Sequence, residues 1–105
     1  MMKNPDPLEK VIEAAVCKYA QSKGFLTYKF TSPARSAVPD RLFIAPGGQC
    51  MFIEFKRKGQ KPTQPQQREH DRLTNQHVDV IVVDSIEEGK PLIDEWVHPA
   101  WLARC

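Results

Sequence analysis

The 105-residue sequence predicts a single α/β domain, a mixed four-stranded sheet flanked by helices in the order αβββαβα. Three observations lead there. Apolar residues at helical spacing open the chain behind a start signal. Two β-rich segments flank Pro46-Gly47-Gly48, the composition of a tight hairpin. The apolar run from Val78 to Val83 follows a second capped helix, as a crossover strand does.

The first helix is signalled by Asp6 as cap, Pro7 at the first helical position and Glu9 at the third. Leu8, Val11, Ile12, Ala15, Val16 and Tyr19 form its apolar stripe, and Gly24 ends it. Glu9 and Glu13 lie together along one edge of that stripe. Phe25 to Thr31 alternates as a strand should, and Ser32 to Val38 is a turn-rich segment carrying Arg35. Asp40 to Ala45 and Gln49 to Lys56 are the hairpin strands. Gly59 to Pro62 is a basic loop, and Thr63-Gln64-Pro65-Gln66 is a capping box opening a helix to about Gln76. That helix is poor in apolar residues, with Leu73 its only large one. Val78 to Val83 is the most hydrophobic strand and is expected at the centre of the sheet. Ser85 to Glu88 is a second capping box, after which Gly89-Lys90-Pro91 is expected to break the chain into short helical turns. The tail from His98 to Cys105 carries Trp101 and no clear element.

Composition narrows the function. At 41% hydrophobic and 27% charged residues, the chain fits a soluble domain rather than a disordered or membrane protein. No apolar run approaches the roughly 20 residues of a membrane span, and no secretory signal is expected. Cys17, Cys50 and Cys105 are odd in number and widely spaced, so a reducing, cytoplasmic setting is expected. His70, His77 and His98 form no close-spaced pair that suits a zinc site. The net charge of +2 is uninformative, but its distribution is not. Lys56, Arg57, Lys58, Lys61 and Arg68 follow one another without an acid, whereas Asp84, Glu87, Glu88, Asp94 and Glu95 surround a single Lys90. Such a split suits a polyanion on one face.

The informative residues lie in the hairpin. Glu54 and Lys56 are two apart in a strand and share a face, leaving Met51, Ile53 and Phe55 to the other. With a three-residue turn at Pro46 to Gly48, Ala45 pairs with Gln49 and Asp40 falls opposite Glu54. Facing carboxylates repel by some tenths to about 1 kcal/mol relative to a neutral pair. A cation resolves that repulsion, and oxygen donors suit Mg²⁺ or Mn²⁺. A solvated outer face would accommodate the same residues without a ligand.

Val38-Pro39-Asp40 followed by Glu54-Phe55-Lys56 resembles the signature of the PD-(D/E)XK nucleases. The surrounding sequence is most similar to one branch, the virus-type replication-repair nuclease (VRR-NUC) domain in its small standalone phage and bacterial form. Glu13, Lys29-Phe30, the Val-Pro-Asp turn, the Pro-Gly-Gly hairpin, Glu54 and Lys56, Lys61-Pro62 and Gln66 come in that family's order, over about residues 8 to 95. The resemblance implies a restriction-endonuclease-like core and a metal-dependent phosphodiesterase acting on DNA. It implies that Asp40 and Glu54 ligate Mg²⁺ or Mn²⁺, with the Phe55 backbone carbonyl and Glu13 as further donors. Glu13 is preferred to Glu9 because it lies 16 residues before Lys29, as the family's helix-one Glu does; the residues alone leave both acids open. Lys56 would orient water and offset charge, and Gln66 would position water, Lys56 or phosphate. Lys58, Lys61, Arg68 and Arg35 would grip the DNA backbone. Standalone members are expected to dimerise, which suits branched DNA such as a Holliday junction, with Trp101 a candidate for the contact. The competing reading is a non-catalytic nucleic-acid-binding module using residues 56 to 68. Intact Asp40, Glu54 and Lys56 speak against it.

Overall fold

The computed structural model describes residues 8 to 96. The elements run α1 (Glu9–Ser22), β1 (Leu26–Lys29), β2 (Arg41–Ile44), β3 (Cys50–Phe55), α2 (Gln64–Asn75), β4 (Val80–Val83) and α3 (Ile86–Trp96), the predicted order. The strands form one sheet in the order β1-β2-β3-β4. Neighbours are antiparallel except β3 and β4, which α2 connects in parallel.

The hairpin sets the register. Ala45 N–H donates to the Gln49 carbonyl, and Gly48 N–H to the Ala45 carbonyl, both at 2.8 Å. Gly48 takes a φ of 93°, a conformation that favours glycine and closes the three-residue turn. Ile44 then lies opposite Cys50 and Arg41 opposite Ile53. Continued by one residue, the register sets Asp40 opposite Glu54, as the sequence predicts.

Strand alternation gives the sheet two unlike faces. Phe43, Met51, Ile53, Phe55 and Val83 pack with Ile12, Val16 and Ala20 of α1 and Ile93 of α3 into the apolar core. Each large side chain buried there contributes about 1.5–3 kcal/mol. The other face carries Glu54 and is covered by α2.

Three expectations need correction. The Val80–Val83 strand is an edge strand, not the central one. Val83 is buried and Ile81 packs against the core, while Val82 on the other face is exposed, so a run of four apolar residues marks neither a central position nor burial on both faces. Residues 86 to 96 form one continuous helix despite Gly89 and Pro91. Ser85 Oγ caps it by accepting the Glu88 N–H at 3.1 Å, and Pro91 and Glu87, the residue four positions earlier whose carbonyl loses its intrahelical donor, are both exposed to water. Helix α1 begins at Glu9, with Leu8 in extended backbone at the cap position and no side-chain cap. The Asp6 and Pro7 signals lie outside the described residues. Its buried stripe is Ile12, Val16, Cys17 and Ala20, while Leu8 and Val11 are exposed.

Gly89 is where α3 meets α1. A Cβ there would stand 2.5 Å from Val16 Cγ2, a short side chain with no room to retreat. Helix propensity favours alanine over glycine by about 0.8–1 kcal/mol, but overpacking typically costs about 1–3 kcal/mol. The clash wins. Gly89→Ala is expected to lower the denaturant midpoint, and adding Val16→Ala to recover part of that loss over either substitution taken alone.

Candidate functional site

Asp40 enters the site from the end of β2. Its carbonyl accepts the Phe30 N–H at 2.9 Å, and its Oδ2 accepts the Phe55 N–H at 2.8 Å. Across from it, Glu54 is 1% exposed. Its Oε2 accepts a hydrogen bond from Gln66 Nε2 at 3.1 Å and lies 3.9 Å from Lys56 Nζ. Its Oε1 is buried and has no hydrogen-bond partner among the described residues. Burial, then the charge of Asp40, pushes the Glu54 carboxyl up to about 7; Lys56 pulls the other way, and the charge of Glu9 adds to the rise. Desolvation therefore matters more here than the cross-strand repulsion that the register alone suggests.

Helix α2 presents a polar stripe to this carboxylate. Gln66 serves two ends at once. Its Oε1 accepts the Thr63 N–H at 2.9 Å, completing the predicted capping box, while its Nε2 reaches Glu54. One turn on, Glu69 and His70 are buried. Glu69 Oε1 pairs with Arg35 Nη1 at 3.2 Å and with Arg72 Nε at 3.5 Å. His70 Nε2 stands 3.7 Å from Glu54 Oε1, and burial lowers its pKa and favours the neutral ring. Sequence reasoning missed Glu69, His70 and Arg72. The signal was present: once the capping box fixes Gln66 at the third helical position, residues 69 and 70 share its face.

The two acids of α1 part company. Glu13 Oε2 accepts from Arg41 Nε at 2.6 Å, an ion pair on the α1 side of the sheet. Arg41 follows Asp40 in the strand and so points to the opposite face. Glu9 is the α1 acid whose charge reaches Glu54. The Glu13 carboxylate is thus engaged by Arg41, while the charge of Glu9 contributes to raising the Glu54 carboxyl.

Of the basic residues, Lys58, Lys61 and Arg68 are exposed, as phosphate contacts require. Arg35 is not a free loop cation, since Glu69 ties it to α2. A recess of about 290 Å³ beside Asp40 is lined by Lys29, Phe30, Ser32, Arg35 and Ser36. A larger cavity of about 630 Å³, which includes Lys61, lies between the basic loop, α2 and the end of β4, away from Asp40 and Glu54. Gly59 N–H donates to Asp84 Oδ2 at 3.0 Å and anchors that loop.

Among the described residues, no three His, Cys, Asp or Glu side chains converge as a ready-made metal cage. The donors present still fit a hard cation. Mg²⁺ keeps several waters and is usually held by one or two carboxylates together with substrate phosphates. Asp40 and Glu54 supply two carboxylates, and the unpartnered Glu54 Oε1 is a free acceptor in a buried place.

No family model matches the chain. It is 46% identical over 80 residues to a protein of Acyrthosiphon pisum secondary endosymbiont phage 1 named "Putative nuclease p44", covering 76% of this chain and 82% of that one. A solved structure named "VRR_NUC domain" superposes with a TM-score of 0.78 at 31% identity, covering 84% of this chain and 96% of that one. A second, named "VRR_NUC domain protein", matches with a TM-score of 0.71 over 88% and 89% of the chains; at 16% identity it bears on the fold alone.

The raised Glu54 carboxyl sets a pH dependence in the metal-free protein. The unfolded chain releases this proton near the ordinary 4.5, the folded protein only at about 7. Between those values the folded state holds the extra proton, so stability from this group falls as pH rises, by roughly 3 kcal/mol in all. His70, its pKa lowered, works in the opposite sense below its ordinary 6.5. The comparison with Glu54→Gln isolates the carboxylate. The variant's stability advantage over wild type, measured by urea unfolding in a chelator, is expected to grow from pH 5 to pH 8. A constant difference would mean that Glu54 titrates normally.

Proposed function

The chain belongs to the VRR-NUC family and is a nuclease, and we propose that it is a metal-dependent endonuclease that hydrolyses phosphodiester bonds in branched DNA. The observation that carries the reading is Glu54, buried in the sheet opposite Asp40 with an acceptor left free and its carboxyl raised to about 7. A carboxylate in that position is stabilised by a cation far more than by any neutral neighbour.

Asp40 and Glu54 would hold Mg²⁺ or Mn²⁺, with Glu9 from α1 and the Phe55 carbonyl as further oxygens. When bound, the ion supplies a Lewis acid for the phosphoryl oxygen and lowers the pKa of water for attack. The chain's own residues do the rest. Lys56, its side chain 12% exposed beside Glu54, is held to orient the attacking water and offset charge as the phosphorane forms. Gln66 holds one Glu54 oxygen, Oε2. Arg35, tied to Glu69 by one nitrogen, keeps other N–H groups for a backbone phosphate beside Asp40. Lys58, Lys61 and Arg68 add affinity without sequence readout.

A divalent-metal titration against four-way, splayed, flapped and linear DNA tests the reading. Cleavage is expected with Mg²⁺ or Mn²⁺, strongest on a branched substrate, and Asp40→Asn is expected to abolish it while the circular dichroism spectrum stays that of wild type. Lys56→Ala is expected to keep metal affinity and lose most turnover. Cleavage of undiminished rate in Asp40→Asn would remove the metal site.

Paired cuts across a four-way junction need two active sites related by a two-fold axis, which a C2 dimer provides. Trp101, the predicted contact, lies outside the described residues. Sedimentation at micromolar concentration is expected to give a dimer, and mixed wild-type and Glu54→Gln subunits to nick one strand where the wild type makes paired cuts. A monomer that nicks only flaps or linear DNA would leave the nuclease and remove junction resolution.

A further inference from the structure

Helix α2 turns Gln66, Glu69, His70 and Leu73 toward the sheet, a stripe that packing alone would fill with apolar side chains. His70 is the polar member for which the chemistry above has no use. It is 4% exposed, and its Nε2 has no hydrogen-bond partner among the described residues. The Glu54 Oε1 atom that faces it at 3.7 Å is likewise buried and unpartnered. Two orphaned polar atoms facing each other in an interior are rare, because folded proteins pair nearly all such groups. A leucine here would fill the space and leave nothing unsatisfied on the helix.

We propose that His70 is a positioning residue for Glu54, its Nε2–H closing on Oε1 when the cation is bound. The proposal rests on the metal-site reading above and deepens it. Residues 66 and 70 are one turn apart on the same face of α2, so both donors approach the carboxylate from one rigid element. Gln66 takes Oε2 and His70 takes Oε1. Each carboxylate oxygen has two lone pairs, so one N–H on each leaves a lone pair on both for the ion. The carboxylate plane is thereby fixed from behind, as outer partners fix metal ligands elsewhere. The closure needed is under an ångström and falls within side-chain rotation, from 3.7 Å to ordinary hydrogen-bond length.

Calorimetric Mn²⁺ binding to the full chain tests this with wild type, His70→Leu, His70→Gln and Glu54→Gln. His70→Leu is expected to bind Mn²⁺ about tenfold or more weakly, with a metal-free melting temperature equal to or above that of wild type. His70→Gln, whose amide nitrogen replaces the ring donor, is expected to recover most of the affinity. In the wild type, Mg²⁺ is expected to shift the ¹⁵N resonance of His70 Nε2, a reading that holds even if His70→Leu does not fold. Wild-type affinity in His70→Leu, equal weakness in His70→Gln and His70→Leu, or an unmoved His70 resonance would each overturn the proposal alone. Mn²⁺ uptake that is absent in wild type, or unchanged in Glu54→Gln, would overturn the metal site and His70's role with it.

Discussion

Much of this structure is arranged around a carboxylate held out of water in the middle of a sheet. Glu54 is almost fully buried and faces Asp40 across the β2–β3 pair. Burial disfavours its charged form, and the neighbouring acid disfavours it further. Such a group destabilises the apo fold at neutral pH, so the rest of the molecule must hold it there. The hairpin does so by register. A one-residue slip would send Asp40 to the apolar face, and the hydrogen-bonded Pro46–Gly48 turn leaves no slack for it.

The two faces of the sheet divide the work. The α1–α3 face is an apolar core in which Phe43, Met51, Ile53 and Phe55 are wholly buried. Close approach of α3 at Gly89 and the Tyr19 hydroxyl donating to Asp94 Oδ1 at 2.6 Å lock the two helices together. That face supplies the stability. The α2 face gives stability up, placing Gln66, Glu69 and His70 where apolar side chains would otherwise pack. Polar stripes of this kind rigidify a site only when every member is satisfied. Glu69 is satisfied by Arg35 and Arg72; His70 and Glu54 each keep an unpaired atom. The imbalance is concentrated at the carboxylate.

Arg35 shows how the same helix reaches the substrate side. The Ser32–Val38 segment has no regular structure of its own, yet its arginine is tied to α2 through Glu69. The recess it lines beside Asp40 is thus bounded by a pinned loop. Helix α2 therefore governs both the orientation of Glu54 and the position of a cation beside Asp40.

Local chemistry in the sequence determined the element order, the hairpin, its register and the α2 capping box. Each depends on interactions between residues a few positions apart: a turn of fixed length, a side chain closing on its own helix start, strict alternation along a strand. The placement of Asp40 opposite Glu54, with Lys56 beside it, follows from counting through one turn. What tertiary structure decided was every relation between elements distant in the chain. Val80–Val83 is apolar throughout yet lies at the sheet edge with Val82 exposed, and hydrophobicity alone cannot tell that from a central strand. Gly89 and Pro91 carry the signals of a helix break, but the close contact with Val16 requires the glycine and the exposed side of α3 accommodates the proline. Glu9 and Glu13 occupy one edge of α1, one turn apart. Which one is paired depends on Arg41, 28 residues away from Glu13, whose side chain engages Glu13 on the face of the sheet opposite Asp40.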